Sequence, residues 1–190
     1  MGRLHRVEWR GQRFENNCWF TCFQMATRYH LSDGPGPVSP SPSEFQQAFI
    51  AIGDQEILNP AYNRPADRNA HRTIAQQLGM RRHALASSHS APDAFGRVQR
   101  RDMGLDARPI ALMGLIDRAP VVFPCLVPRG NGRSFGHDIV IAGHDMSGGS
   151  IRFNILDPAA NGPVAAGGWA ISSTDLFRDF APWFDEVYSY

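Results

Sequence analysis

Cys18 stands directly behind two asparagines and in front of a tryptophan, in the stretch ENNCWFTCFQMATRYH over residues 15–30. If Asn16 or Asn17 caps a helix, Cys18 falls in its first turn. There the unpaired backbone N–H groups and the helix dipole favour a negative sulfur. Thiolate is the nucleophilic form of cysteine, so the position suits a reactive thiol; the alternative is an inert cysteine buried at a helix start. Cys22 follows four residues later among Phe23 and Met25, where core packing is expected. The C-x3-C spacing is not the C-x-x-C of redox pairs. With Cys125 as the only other cysteine, it also falls short of a four-ligand zinc set. No cofactor and no metal site are implied.

A nucleophilic thiol needs a base, and the base needs an orienting group. His137 opens the strand-like run HDIVIAG, from which a side chain can project at a sheet edge. His144 closes the same run beside a turn, where a solvated histidine is expected. His5, His30, His71, His83 and His89 lie in loops or on helices without strand support and read as surface histidines. Asp157 ends the next strand, in ILDPA, and two antiparallel neighbours joined by a short turn can hold it beside His137. Asn154 and Asn161 are alternative orienters. Asp138 should point to the other face of its strand, because side chains alternate. Acyl transfer also needs donors for an oxyanion. Gln12, six residues before Cys18, carries an amide that could join the Cys18 backbone N–H; otherwise it is an exposed loop residue.

These residues must be held by elements, and the patterning supplies them. Cys18, Trp19, Cys22, Phe23, Met25 and Ala26 share one face of a helix over 18–30. A Pro/Gly/Ser loop follows over 32–42. SPSEFQQAFIAIG reads as a helix with Ser41 at the N-cap, Pro42 at N1, Glu44 closing a capping box and Gly53 at the end. Residues 54–68 are irregular, and NAHRTIAQQLG is a short helix stopping at Gly79. Further helical segments are expected near 92–102 and 108–118. From Pro120 the character changes. PVVFPCLV is a buried strand with a proline that places it near an edge; GRSFGHDIVIAGHD, SIRFNILD and WFDEVYSY supply further strands. Helices first and an antiparallel meander second predict an α+β fold.

Composition narrows the partners. The chain has 190 residues, 43% of them hydrophobic, enough for one domain or a compact two-lobed unit. A net charge of +1 gives no electrostatic footprint for nucleic acid. No apolar run approaches the ~20 residues of a membrane span, no signal-peptide h-region is visible, and Arg6 occupies the position where myristoylation needs Ser or Thr. The chain is therefore cytoplasmic or exported by a route its sequence does not display. All 19 basic residues are arginine. Genomic base-composition bias explains this, as does selection against ubiquitin attachment in a host cell.

Taken in order, Gln12, then Cys18-Trp19 at a helix start with Gln24-Met25 ahead of Tyr29-His30, then GHDIVIAGHD and LDPA, resemble the papain superfamily of cysteine proteases. The likeness is strongest to bacterial papain-like effector and toxin proteases. It spans about residues 7–190, more loosely over 54–105. It implies a single catalytic domain over 1–190, with a helical lobe at about 12–118 and an antiparallel β lobe at about 119–190. It implies Cys18 as nucleophile, His137 as general base and acid, Asp157 as orienter and Gln12 as oxyanion donor. The substrate would be a protein or peptide, and a cognate inhibitor or immunity protein is a further implied partner. The implied setting is export without a visible signal and action in a target-cell cytoplasm. With no long segment ahead of Gln12, a mature catalytic domain or an excised toxin module is expected. Cys22 and the long basic loop VPRGNGR depart from the family pattern and blur the substrate. The same residues would serve glutamine deamidation or a peptidoglycan amidase, and a degenerate fold would leave a binding module.

Overall fold

Helix α1 (Cys18–Asp33) begins where the Asn17 carbonyl accepts the Thr21 N–H at 3.1 Å, which makes Asn17 its N-cap and Cys18 its first residue. The computed structural model describes residues 2–33, 41–54, 64–85, 108–128, 133–146, 149–159, 169–183 and 185–190. Helix α2 (Glu44–Asp54) starts two residues later than its sequence suggests. Ser43 Oγ accepts the Gln46 N–H at 3.1 Å, and Gln46 Oε1 accepts the Ser43 N–H at 2.9 Å. Both Ser41 and Ser43 fit the capping-box pattern. The Ser43 frame also lets Gln46 Nε2 donate to the Leu78 carbonyl at 2.8 Å, tying α2 to the next helix. Helix α3 (Arg68–Leu78) is capped by Asp67, whose carboxylate accepts from the Ala70 N–H, and ends at Gly79 in the left-handed region (φ 79°) that a glycine C-cap favours. Helix α4 (Arg108–Ile116) falls where expected, whereas the segment at 92–102 lies outside the described residues.

The strands form one antiparallel sheet in the order β2-β8-β3-β4-β5-β6, from β2 (Arg81–Ala84), β3 (Val121–Pro128), β4 (Ser134–Asp145), β5 (Arg152–Leu156), β6 (Trp169–Ser172) and β8 (Glu186–Ser189). Short β1 (Arg3–Leu4) pairs with β4, and β7 (Ala181–Pro182) pairs with β3. The fold is α+β, but the separation of helices from strands is incomplete. β1 and β2 come from the first part of the chain, and helix α5 (Ser173–Asp179) lies among the later strands.

Both sheet faces are covered. Val122, Val140, Ala142, Leu156 and Tyr188 pack with Phe20, Phe23, Phe49 and Leu78 from α1–α3. Their neighbours Val121, Phe123, Ile139, Ile141, Ile155 and Val187 pack on the opposite face with Leu112, Ile116 and Leu176. This explains the uninterrupted apolar runs: a strand buried on both sides needs no polar alternation. Pro124 lies not near an edge but in an interior strand. The missing N–H is tolerated because β3 changes partner there, from β8 at Val122 to β7 at Cys125, and the Pro124 carbonyl accepts the Trp183 N–H at 2.9 Å.

Candidate active site

Gln12, Cys18, His137, Asp138 and Asp157 all line one cleft of about 460 Å³, walled in part by Trp19, Phe135 and Trp183. Helix α1 packs on β4, so residues far apart in sequence converge where the helix begins and the strand enters the sheet. The loop ahead of the helix is anchored to the Asp157 turn. Trp9 Nε1 donates to the Asp157 carbonyl at 2.9 Å, and the Gln12 N–H donates to the Pro158 carbonyl at 2.8 Å.

His137 and Asp157 meet as the strand pattern predicts: Nε2 lies 2.8 Å from Asp157 Oδ1, which also accepts the Ala159 N–H. A neutral ring facing a carboxylate through Nε2 carries its hydrogen there. That leaves the Nδ1 lone pair open, and among the described residues nothing hydrogen-bonds to it. Gly136 precedes this histidine for a steric reason: a Cβ there would come within 2.3 Å of the Trp183 indole. Asn154 lies on another surface, beside His144 and Arg152, and takes no part; Asn161 lies outside the described residues.

Cys18 departs from expectation. It is only 8% exposed, and among the described residues its thiol hydrogen-bonds not to His137 but to Asp138 Oδ2, at 3.8 Å. Burial, then the charge of Asp138, pushes the thiol well above its ordinary range, although the N–H groups of Asp138 and Trp19 pull the other way. At this helix start desolvation and a facing carboxylate outweigh the helix terminus, which opposes the expected thiolate and favours the thiol. Cys22 and Cys125 are wholly buried and pushed up by the same desolvation, as expected of core thiols.

Asp138 does point to the opposite face from His137, in step with Val140 and Ala142, but that face is the one α1 covers. Its other oxygen, Oδ1, lies 2.9 Å from Nε2 of His71, which is fully buried rather than a surface histidine. The readable signal was the inward stripe His71, Ala75 and Leu78 on α3, together with a carboxylate inside an apolar strand, which needs a partner. His5 is likewise buried, between Tyr29 Oη at 2.7 Å and the Ile116 carbonyl. His83 lies on β2 and meets Ser189. His144 is buried against Asp117 at 2.7 Å rather than solvated, and does not line this cleft. Gln12 lines the cleft, yet its Nε2 donates to the Phe14 and Glu15 carbonyls at 3.0 and 3.3 Å, turning the donor toward its own loop.

No protein-family model matches the chain, and no curated protein is significantly similar to it. Among the described residues no helix is long and apolar enough to cross a membrane.

Proposed function

We propose that this chain is a papain-like cysteine peptidase that hydrolyses an amide bond through a thioester acyl-enzyme. The observation that carries the reading is the His137–Asp157 pair, with an open imidazole nitrogen, in the same cleft as a cysteine at the first position of a helix. In the reaction His137 Nδ1 takes the Cys18 proton as the sulfur attacks the substrate carbonyl. The carbonyl π electrons move to oxygen, against the Cys18 backbone N–H and the Gln12 amide once it turns from its loop. Collapse expels the amine, which takes the proton from His137. Water, deprotonated by the same nitrogen, then attacks the thioester carbon; the C–S bond breaks, the acid leaves, and the Cys18 sulfur takes the proton back from His137. Asp157 orients the ring and offsets the imidazolium charge. A two-lobed papain-like arrangement is supported by the packing of the thiol-bearing helix on the imidazole-bearing strand.

The resemblance extends the proposal to a bacterial effector or toxin, exported without a visible signal. It would act on protein or peptide in a target-cell cytoplasm and be restrained by a cognate inhibitor or immunity protein. One observation favours a binding module instead: no hydrogen bond joins Cys18 to His137 in the resting state. Deamidation and peptidoglycan amidase chemistry share the acyl-enzyme and differ only in product. The purified chain, with Cys18→Ala and His137→Ala as controls, should be incubated with a mixed proteome digest, glutamine-rich protein and muropeptides. New peptide termini from the unsubstituted chain alone are expected. Released ammonia or opened muropeptides would reassign the substrate, and no product with any of the three would sink the enzymatic reading.

A further inference from the structure

The protons behind Cys18 involve two side chains that the proposed acyl transfer does not use. His71 Nδ1 lies 2.8 Å from the Asp67 carbonyl, and Nε2 lies 2.9 Å from Asp138 Oδ1. A carbonyl only accepts, so Nδ1 carries a hydrogen. The Nε2 contact with a carboxylate oxygen needs a second one. The pair therefore holds one proton more than a neutral imidazole beside a carboxylate ion. Asp138 Oδ2 remains free to accept from the Cys18 thiol at 3.8 Å. The result is a chain running from Cys18 through Asp138 and His71 to the Asp67 carbonyl, separate from the His137–Asp157 pair.

We propose that Asp138 is a positioning residue whose carboxylate, facing the sulfur, keeps the proton on Cys18 in the resting protein, and that His71 is a positioning residue whose imidazolium balances that carboxylate from behind and moderates its hold. A thiolate at this position would stand beside an anion, and His71 limits how strongly that anion is felt. The two residues thus act on the thiol with opposite sign. The environment agrees. Burial pulls the His71 proton affinity down, but the charge and hydrogen bond of Asp138 reverse this, leaving it above an ordinary histidine. The groups around His71 include Asp138 on β4, Asp67 at the α3 cap, and the rings of Phe23, Trp183 and Tyr188. Around Cys18 the titratable groups are Asp138, Cys22, Cys125, Asp157 and His137, with Glu15 also on the cleft wall.

The inference deepens the peptidase reading but is tested by thiol chemistry rather than turnover. The rate of Cys18 alkylation by iodoacetamide would be followed against pH, with peptides mapped by mass spectrometry. In Asp138→Asn the amide can still donate to His71 and accept from the thiol, so geometry is kept while charge is lost. Its alkylation profile should move to lower pH, with a rate at pH 7 roughly tenfold higher. The thiolate fraction rises in proportion as the sulfur holds its proton less tightly, and lower nucleophilicity returns part of that gain. His71→Gln should move the profile the other way and slow the reaction by a similar factor. Adding His71→Gln to Asp138→Asn should change nothing further, because no carboxylate is left to unmask. If His71→Gln does not fold, Asp138→Asn decides alone. A slower or unchanged Asp138→Asn rate, or profiles displaced in the same direction in both folded variants, overturns the proposal. Profiles that move as expected in a chain that cleaves nothing would instead remove the peptidase reading and leave this one standing.

Discussion

Two histidine–aspartate pairs flank Cys18, built from the same side chains and set to different work. In His137–Asp157 the carboxylate is 15% exposed and the ring keeps one nitrogen open to the cleft. In His71–Asp138 both side chains are almost completely buried, and each ring nitrogen already faces an acceptor. The first pair can take up a proton; the second has no vacancy for one and acts as a fixed ion pair. Chemical role here follows from what each ring nitrogen faces, and from access to the cleft, rather than from residue type.

The largest effect should come from emptying the open nitrogen. His137→Ala is expected to lower turnover by about 10²–10⁴, the usual range for a general base, while leaving the denaturation midpoint nearly unchanged. Kinetics and a melt on the same sample check both halves, and intact turnover would dissolve the distinction between the pairs. His71→Ala should reverse the pattern. It leaves Asp138 as an unpaired buried charge, and such losses run to about 3–5 kcal/mol. Urea titration measures this; a loss below about 1 kcal/mol would mean that water replaces the imidazole and the pair is not a sealed unit.

Gly136→Ala probes the wall on the cleft side. Its new methyl group must displace the Trp183 ring, at about 1–3 kcal/mol for overpacking. A variant as stable as the parent would show that the indole moves freely.

The smallest effect concerns the surface behind the buried pair. Glu186 on β8 holds Arg68 and Arg72 of the helix that carries His71, and the hydrogen bond from Arg72 holds its carboxyl down at about 2, below an ordinary 4.5. A lowered carboxyl contributes stability that is present above about pH 4.5 and lost as pH falls toward 2. Glu186→Gln should therefore flatten the acid limb of the stability profile over that window, without touching turnover at neutral pH. An unchanged acid limb would place the protonation that unfolds the chain elsewhere.

The helix start at Cys18, the glycine stop at Gly79, the α+β class and the meeting of His137 with Asp157 were all legible in the sequence, because each rests on local spacing or strand alternation. The sealed pair was not. His71 lies 67 residues from Asp138, and no local pattern says which helix will cover which sheet face. Strand alternation sent Asp138 to the opposite side correctly, but could not say that α1 and its thiol would be waiting there. β2 escaped for another reason: RRHA is a four-residue edge strand that keeps its arginines exposed, and carries no period to read. The capping box was ambiguous between two overlapping frames, and a tertiary contact from Gln46 chose one.

The burial of Cys18 also bears on durability. Peroxide and adventitious disulfides attack thiolate sulfur in reach of solvent. A cysteine that is 8% exposed and keeps its proton offers little of either. On the peptidase reading, a thiol held this way would pass through oxidising surroundings unreactive, and would become vulnerable only when a bound carbonyl draws its proton across to His137.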